Sequence, residues 1–304
     1  MRFVSFERGG RKGLAVETAG ELRGVVEGEA AHPVELEKLI AAGEDDLRGV
    51  GRALASAPVI DPEAIRYRPP LARPPKIICV GLNYADHTKE SPYEQPDYPT
   101  LFARFATTLI GHGQPLMRPL VSDSFDFEGE MVAVIGKGGR HIPRARALDH
   151  VIGYSIFNEG SVREYQFKAP QWTVGKNFDQ TGAFGPAFVT ADEVPAGGKG
   201  LRLETRLNGA VVQSAVTDDM LFDVATIITT ISEAITLEPG DVLVTGTPAG
   251  IGWARTPRLL MRAGDVCEVE IEGLGLLANP VRDEISSAES EGADLAVAAG
   301  AANA

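Results

Sequence analysis

Glu128 and Glu130, in FDFEGEMVAVIGK, stand at the mouth of a continuous apolar run that reads as a buried strand. Residues two apart on a strand share a face. Two carboxylates held that close beside a buried run repel each other and lose hydration unless a cation or a shared proton compensates. Glu268, Glu270 and Glu272, in CEVEIE, have the same spacing and serve as an internal control. There Cys267, Val269 and Ile271 fill the opposite face, so those glutamates read as a solvated row. No such alternation follows Glu130, and two readings stand: a metal site or an exposed strand end.

The donor types bound the metal. His32, His87, His112, His141 and His150 show no His-x-His or His-x3-His spacing, and Cys79 and Cys267 are far apart. Zinc is therefore disfavoured, and an all-oxygen site suits Mg2+ or Mn2+, with Ca2+ a further candidate. His87 and Glu90, in ADHTKE, are three apart and face the same way if the segment is helical, although surface residues of a proline-flanked loop would look the same. Lys176, in WTVGKNFD, reads by default as a surface cation, and Gly246-Thr247-Pro248 as a tight turn.

These residues must be held by a mainly β scaffold. Residues 1–70 read as a small N-terminal domain of short strands, with a helix expected over 34–42, closed by the proline-rich RPPLARPPK. Strands follow at 76–81, 130–136, 201–207, 241–245 and 267–272, with Asn208-Gly209 as a hairpin signal. One long helix is expected to start from Asp218 or Asp219, carry Leu221, Ala225, Ile228 and Ile235 on one face, and stop at Pro239-Gly240. A catalytic domain over 76–284 and a flexible tail over 285–304 complete the division. Many strands, few helices and no alternating βαβ run give an α+β class that is mainly β.

Composition excludes several functions. A formal net charge of −13 argues against nucleic acid, whose binding rests on clustered Lys and Arg. No stretch approaches the ~20 consecutive apolar residues of a membrane span. No apolar segment follows the first arginine of MRFVSFERGG, so a cytoplasmic chain is expected, with two buried free thiols.

Several segments together resemble the fumarylacetoacetate hydrolase family. They are KIICVGLNYADHTKE, the Glu-x-Glu strand, GYSIFNEGSVREYQ, QWTVGKNFDQTGAFGP, and LNGAVVQSAVTDDML through LEPGDVLVTGTPAGIG, in the family's order across about 76–283. The resemblance implies a distorted β-roll catalytic domain in a homodimer, with a divalent metal held by Glu128, Glu130 and Glu159. Glu159 departs from the pattern, in which Asp is usual. The resemblance also implies that His87 and Glu90 form a water-activating dyad on a lid running on through 91–99, and that Lys176 stabilises an enolate. Gln166 and Thr247 would then contact substrate, Thr247 at its carboxylate. Arg104, where many members have Lys, would influence which acid is accepted.

The expected activity is hydrolysis of a C–C bond in a 2,4-dioxo acid of the acylpyruvate type, giving pyruvate or a related 2-oxo acid plus a carboxylate. Isomerisation of 2-hydroxymuconate-type acids from aromatic catabolism, or decarboxylation of oxaloacetate, could use the same site. A non-catalytic binding protein is the remaining alternative.

Overall fold

A computed structural model describes residues 1–29, 35–90 and 94–285. His32, the start of the expected first helix at Val34, lid residues 91–93 and the expected tail over 286–304 lie outside the described residues.

The central sheet is built from long strands in the order Glu21–Val26, Arg11–Thr18, Arg2–Arg8, Gly182–Thr190, Val151–Glu159, Gly129–Ile135, Val242–Val244, Ile77–Gly81 and Thr100–Arg104. Its two innermost strands, Gly129–Ile135 and Val151–Glu159, are buried at every residue, which is why their sequences run apolar without alternating. A second sheet runs in the order Ala210–Val216, Arg202–Leu207, Val266–Ile271, Gly275–Asp283 and Leu116–Arg118. Here apolar and polar residues alternate, and Leu203, Val269 and Ile271 face inward. Asn208-Gly209 closes its hairpin as expected. The fold is α+β and mainly β.

Each face of the central sheet has its own apolar cover. Met131, Ala133 and Ile156 pack with Leu203 and Val269 of the second sheet and with Ile227 and Ile231 of the helix Val224–Ala234. Val132, Val134 and Phe157 pack instead with Leu36, Ile40, Leu47 and Leu54 of two N-terminal helices. The N-terminal strands extend the same sheet, with Arg2 opposite Val189 and Phe3 opposite Phe188. Among the described residues no helix is long and apolar enough to cross a membrane. Cys79 and Cys267 are both buried free thiols.

Three expectations change. The first helix spans Leu36–Ala42 and is followed, after Gly43, by a second, Glu44–Leu54, whose two internal glycines hide it from propensity reasoning. The long helix starts later, at Val224, because its cap is Asp223 rather than Asp218 or Asp219, which sit in a preceding single turn. Its amphipathic pattern had suggested a start nearer Leu221, and Ile235 lies just past its last residue. The glutamates of the control strand do not stand alone in solvent: Arg206, on the paired strand, binds Glu268 at 3.3 Å and Glu270 at 2.7 Å.

Asp223 accepts from the Thr226 N–H at 2.9 Å and pairs with Arg144 at 2.8 Å. Burial alone would raise its carboxyl, but the bonds from Arg144 and Thr226 outweigh it and hold the group well below the usual range. A depressed carboxyl stabilises the fold above its unfolded value of ~3.9 and loses that contribution as pH falls. Asp223→Ala is expected to cost about 1 kcal/mol in denaturant unfolding at pH 7. The gap to wild type should close at acid pH; an equal gap at both pH values would refute the electrostatic part.

A carboxylate cluster and a histidine dyad in one buried cavity

Antiparallel pairing brings the three candidate ligands together. Gly129 lies opposite Asn158, and Glu130 opposite Phe157, so Glu128 and Glu159 meet across the strand ends. The Glu159 N–H donates to the Glu128 carbonyl at 2.8 Å, and the Glu128 N–H donates to the Asn158 side chain at 3.1 Å. Gly129 must be glycine: a Cβ there would lie 2.2 Å from Thr205 Oγ1 of the second sheet. Each of Glu128, Glu130 and Glu159 offers an oxygen within 4.8 Å of the others, and all three are buried. Glu159, despite its extra methylene over Asp, reaches the cluster.

The charges around this cluster do not balance. Asp126, Glu128, Glu130 and Glu159 are buried with Arg104, Arg163 and Lys176. Lys176 Nζ bridges Glu128 at 2.7 Å and Glu159 at 2.8 Å. Arg163 pairs with Glu128 and, at 2.8 Å, with Asp126. Glu130 has no cationic partner this close among the described residues and accepts one backbone N–H, from Gly246. Burial raises its carboxyl, and Glu159 and Glu128 raise it further, to well above the usual range. Burial also works to raise Glu128, but Arg163 and Lys176 outweigh it and hold that group well below the range. Glu130 is therefore the carboxyl of the cluster that holds its proton most tightly.

A divalent cation fits this arrangement. Three carboxylate donors suit a hard ion of the Mg2+, Mn2+ or Ca2+ type. Glu159 Oε1 is buried with no hydrogen-bond partner, which leaves an acceptor for such an ion to satisfy.

The dyad lines the same cavity. His87 and Glu90 lie on the helix Ala85–Glu90, with His87 Nδ1 3.0 Å from Glu90 Oε1. Both Glu90 oxygens also accept the Gly250 N–H at 3.0 Å, and Oε1 accepts that of Ile251 at 3.4 Å. A carboxylate already taking two backbone N–H donors can only accept from the imidazole, so Nδ1 carries the hydrogen, which leaves Nε2 with the lone pair of a base. Gly250 holds φ +103°, and a Cβ there would lie 2.2 Å from the Val212 carbonyl.

The other expected residues divide. Gln166 and Thr247 line the cavity with Lys176. Arg104 does not: it is buried behind Glu159, 3.8 Å away, and its guanidinium is spent on the Gly160 carbonyl, Thr181 and Thr108. Arg163, Asp126 and Gln213 escaped sequence reasoning. Arg163 directly follows the two-residue strand Ser161–Val162, and nothing in the local pattern there marks it as buried. Phe102 against Trp172, with rings 5.5 Å apart, and Phe167 against Trp253, 5.9 Å apart, make the apolar walls.

Three outcomes test this geometry. A cation competes with the proton on Glu130, so Mn2+ affinity by calorimetry should rise with pH and binding should release protons. Glu130→Gln removes a group whose ionisation in the metal-free protein destabilises the fold as pH rises. That variant should unfold at the same or higher temperature than metal-free wild type and lose the gain from Mn2+, about 2.7 kcal/mol at a hundredfold excess over Kd. Gly250→Ala should displace the amides from Glu90 and cut turnover at least tenfold while leaving Mn2+ affinity unchanged; full activity would show that the Gly250–Glu90 contact is idle.

Comparison with known proteins identifies the family. Residues 76–282 match the family described as fumarylacetoacetate (FAA) hydrolase, C-terminal. A mitochondrial oxaloacetate tautomerase of Xenopus laevis is 36% identical over 288 residues, covering 92% of this chain and 90% of the relative. The solved fumarylacetoacetate hydrolase of psychrophilic Exiguobacterium antarcticum is 37% identical with a TM-score of 0.83, covering 93% of this chain and all of that one. Maleylpyruvate hydrolase of Sphingobium sp. SYK-6, solved with manganese(II) and pyruvate, is 27% identical with a TM-score of 0.77, covering 94% of this chain and all of that one. Matched over residues 76–282 and closely similar in fold, this chain belongs to the fumarylacetoacetate hydrolase family of enzymes.

Proposed function

We propose that this protein forms the enol of a small 2-oxo acid with Mg2+ or Mn2+, and that its reaction is keto–enol tautomerisation of an acid of the oxaloacetate class. The observation that carries this reading is the His87–Glu90 pair lining the same buried cavity as the three clustered carboxylates. The named activity of the Xenopus laevis relative supports the substrate class. Glu128, Glu130 and Glu159 would hold the ion, which supplies Lewis-acid polarisation of the substrate's 2-oxo group.

The chain's own residues do the rest. His87 Nε2 takes the proton from C3, with the imidazole fixed by Glu90, and a proton is returned at the 2-oxo oxygen. Lys176, whose ammonium burial would discharge but Glu128 and Glu159 keep charged, offsets the negative charge that develops. Arg163 Nη2 is buried without a hydrogen-bond partner and offers a donor, and Thr247 offers its hydroxyl to the substrate carboxylate. Phe102, Trp172, Phe167 and Trp253 limit water around the enol.

Hydrolysis of an acylpyruvate is the second reading, favoured by the same dyad and by the pyruvate-bound maleylpyruvate hydrolase. There His87 takes a proton from water as the water oxygen adds to the C4 carbonyl. The C3–C4 bond then breaks with its electron pair going to C3, which takes a proton to give pyruvate, while C4 leaves as the carboxylate.

Oxaloacetate and acetylpyruvate, each assayed with Mn2+ for enol conversion and for pyruvate release, separate the readings. Enol conversion of oxaloacetate without pyruvate supports tautomerisation, acetylpyruvate cleavage supports hydrolysis, and pyruvate from oxaloacetate alone marks a decarboxylase. His87→Ala should lower either of the first two activities about 100- to 10,000-fold. No conversion of either acid with Mg2+ or Mn2+ sinks both readings.

A further inference from the structure

Gln213 is buried on the strand Ala210–Val216 of the second sheet. Its inward direction comes from a local bulge. Thr205 lies opposite Gln213 and Arg206 opposite Val211, so Val212 is an extra residue, and Val212 and Gln213 are buried in succession.

The orientation of its amide is dictated by backbone groups. The Gly129 N–H can only donate, and it meets Gln213 Oε1 at 2.9 Å. The Pro248 carbonyl can only accept, and it meets Nε2 at 2.9 Å. The second Nε2 hydrogen therefore goes to Thr247 Oγ1, 2.8 Å away. Having accepted that hydrogen, Thr247 cannot donate back to Gln213. Its own proton has the Gly129 carbonyl at 3.0 Å as a partner, or an acceptor placed in the cavity that Thr247 lines.

We propose that Gln213 is a positioning residue that keeps the Thr247 hydroxyl a donor toward the carboxylate of the bound 2-oxo acid, a role that rests on the function proposed above. Without Gln213 the Thr247 oxygen loses the donor that occupies its lone pair, so the hydroxyl can turn and present that lone pair to the carboxylate, which repels it. Gln213 thereby selects for an anionic acid over a neutral analogue. Through Gly129 it also links that selection to the strand that carries Glu128 and Glu130.

The test is calorimetric binding of pyruvate and of its neutral amide, pyruvamide, to the Mn2+-loaded full chain. It is run on wild type, Gln213→Met, Gln213→Glu, Thr247→Val and the Gln213→Met/Thr247→Val double variant. Wild type should prefer pyruvate at least tenfold. That ratio should fall toward one in Gln213→Met, fall further in Gln213→Glu, where the new carboxylate takes the Thr247 proton, and drop no lower in the double variant than in Thr247→Val. Mn2+ affinity of Gln213→Met should stay within about threefold of wild type. A wild-type ratio in Gln213→Met overturns the proposal, and a fall in Mn2+ affinity with that ratio intact assigns Gln213 a purely structural role. If Gln213→Met does not fold, the ratio in the similarly sized Gln213→Glu decides. A wild-type ratio in Thr247→Val overturns the carboxylate assignment and the Gln213 role with it. Wild type that binds neither compound defeats the functional reading itself.

Discussion

Everything at this site follows from carboxylates gathered where little water reaches them. Glu128, Glu130 and Glu159 are each almost fully buried, and charged groups in such a place demand partners. Lys176 and Arg163 answer for two of them, leaving Glu130 with a backbone N–H alone. That imbalance makes the site receptive to a cation. It also explains why the surrounding positions are so constrained, from glycine at 129 to the bonds that pin Asn158 and Gln213.

The two sheets divide the labour. The central sheet, buried on both faces, supplies rigidity, and its strand ends deliver the carboxylates in fixed register. The second sheet lies against that edge and sends in Gln213 through a one-residue irregularity. Functional groups carried on rigid strands and braced from a neighbouring layer keep their geometry without relying on loops. The dyad is the exception, since it rides on a six-residue helix beside residues 91–93.

Much of this was legible in the residues themselves. The alternating and continuous apolar runs mark Ile77–Gly81, Gly129–Ile135, Arg202–Leu207, Val242–Val244 and Val266–Ile271, because burial on one face or two leaves different patterns, but they left the nine-residue strands Val151–Glu159, Gly182–Thr190 and Gly275–Asp283 unassigned. Glu128 and Glu130 stand out as carboxylates at the mouth of a buried run, and the spacing of His87 and Glu90 suits one helical turn. Three things were not legible. The second N-terminal helix is disguised by glycines. Arg104 carries the charge of a substrate-binding residue, yet three-dimensional packing turns it behind Glu159. Gln213 is a polar residue in an ordinary hairpin strand, and only the bulge at Val212 directs it inward. Packing against distant residues decided the placement of Arg104 and a hairpin bulge that of Gln213, and no local sequence pattern encodes either.

Glu90 both accepts from His87 and fastens its own helix to the backbone of residues 250 and 251. The direction in which the His87 ring points is therefore tied to the turn at 250–251, and any displacement of that turn is passed to the imidazole through one carboxylate.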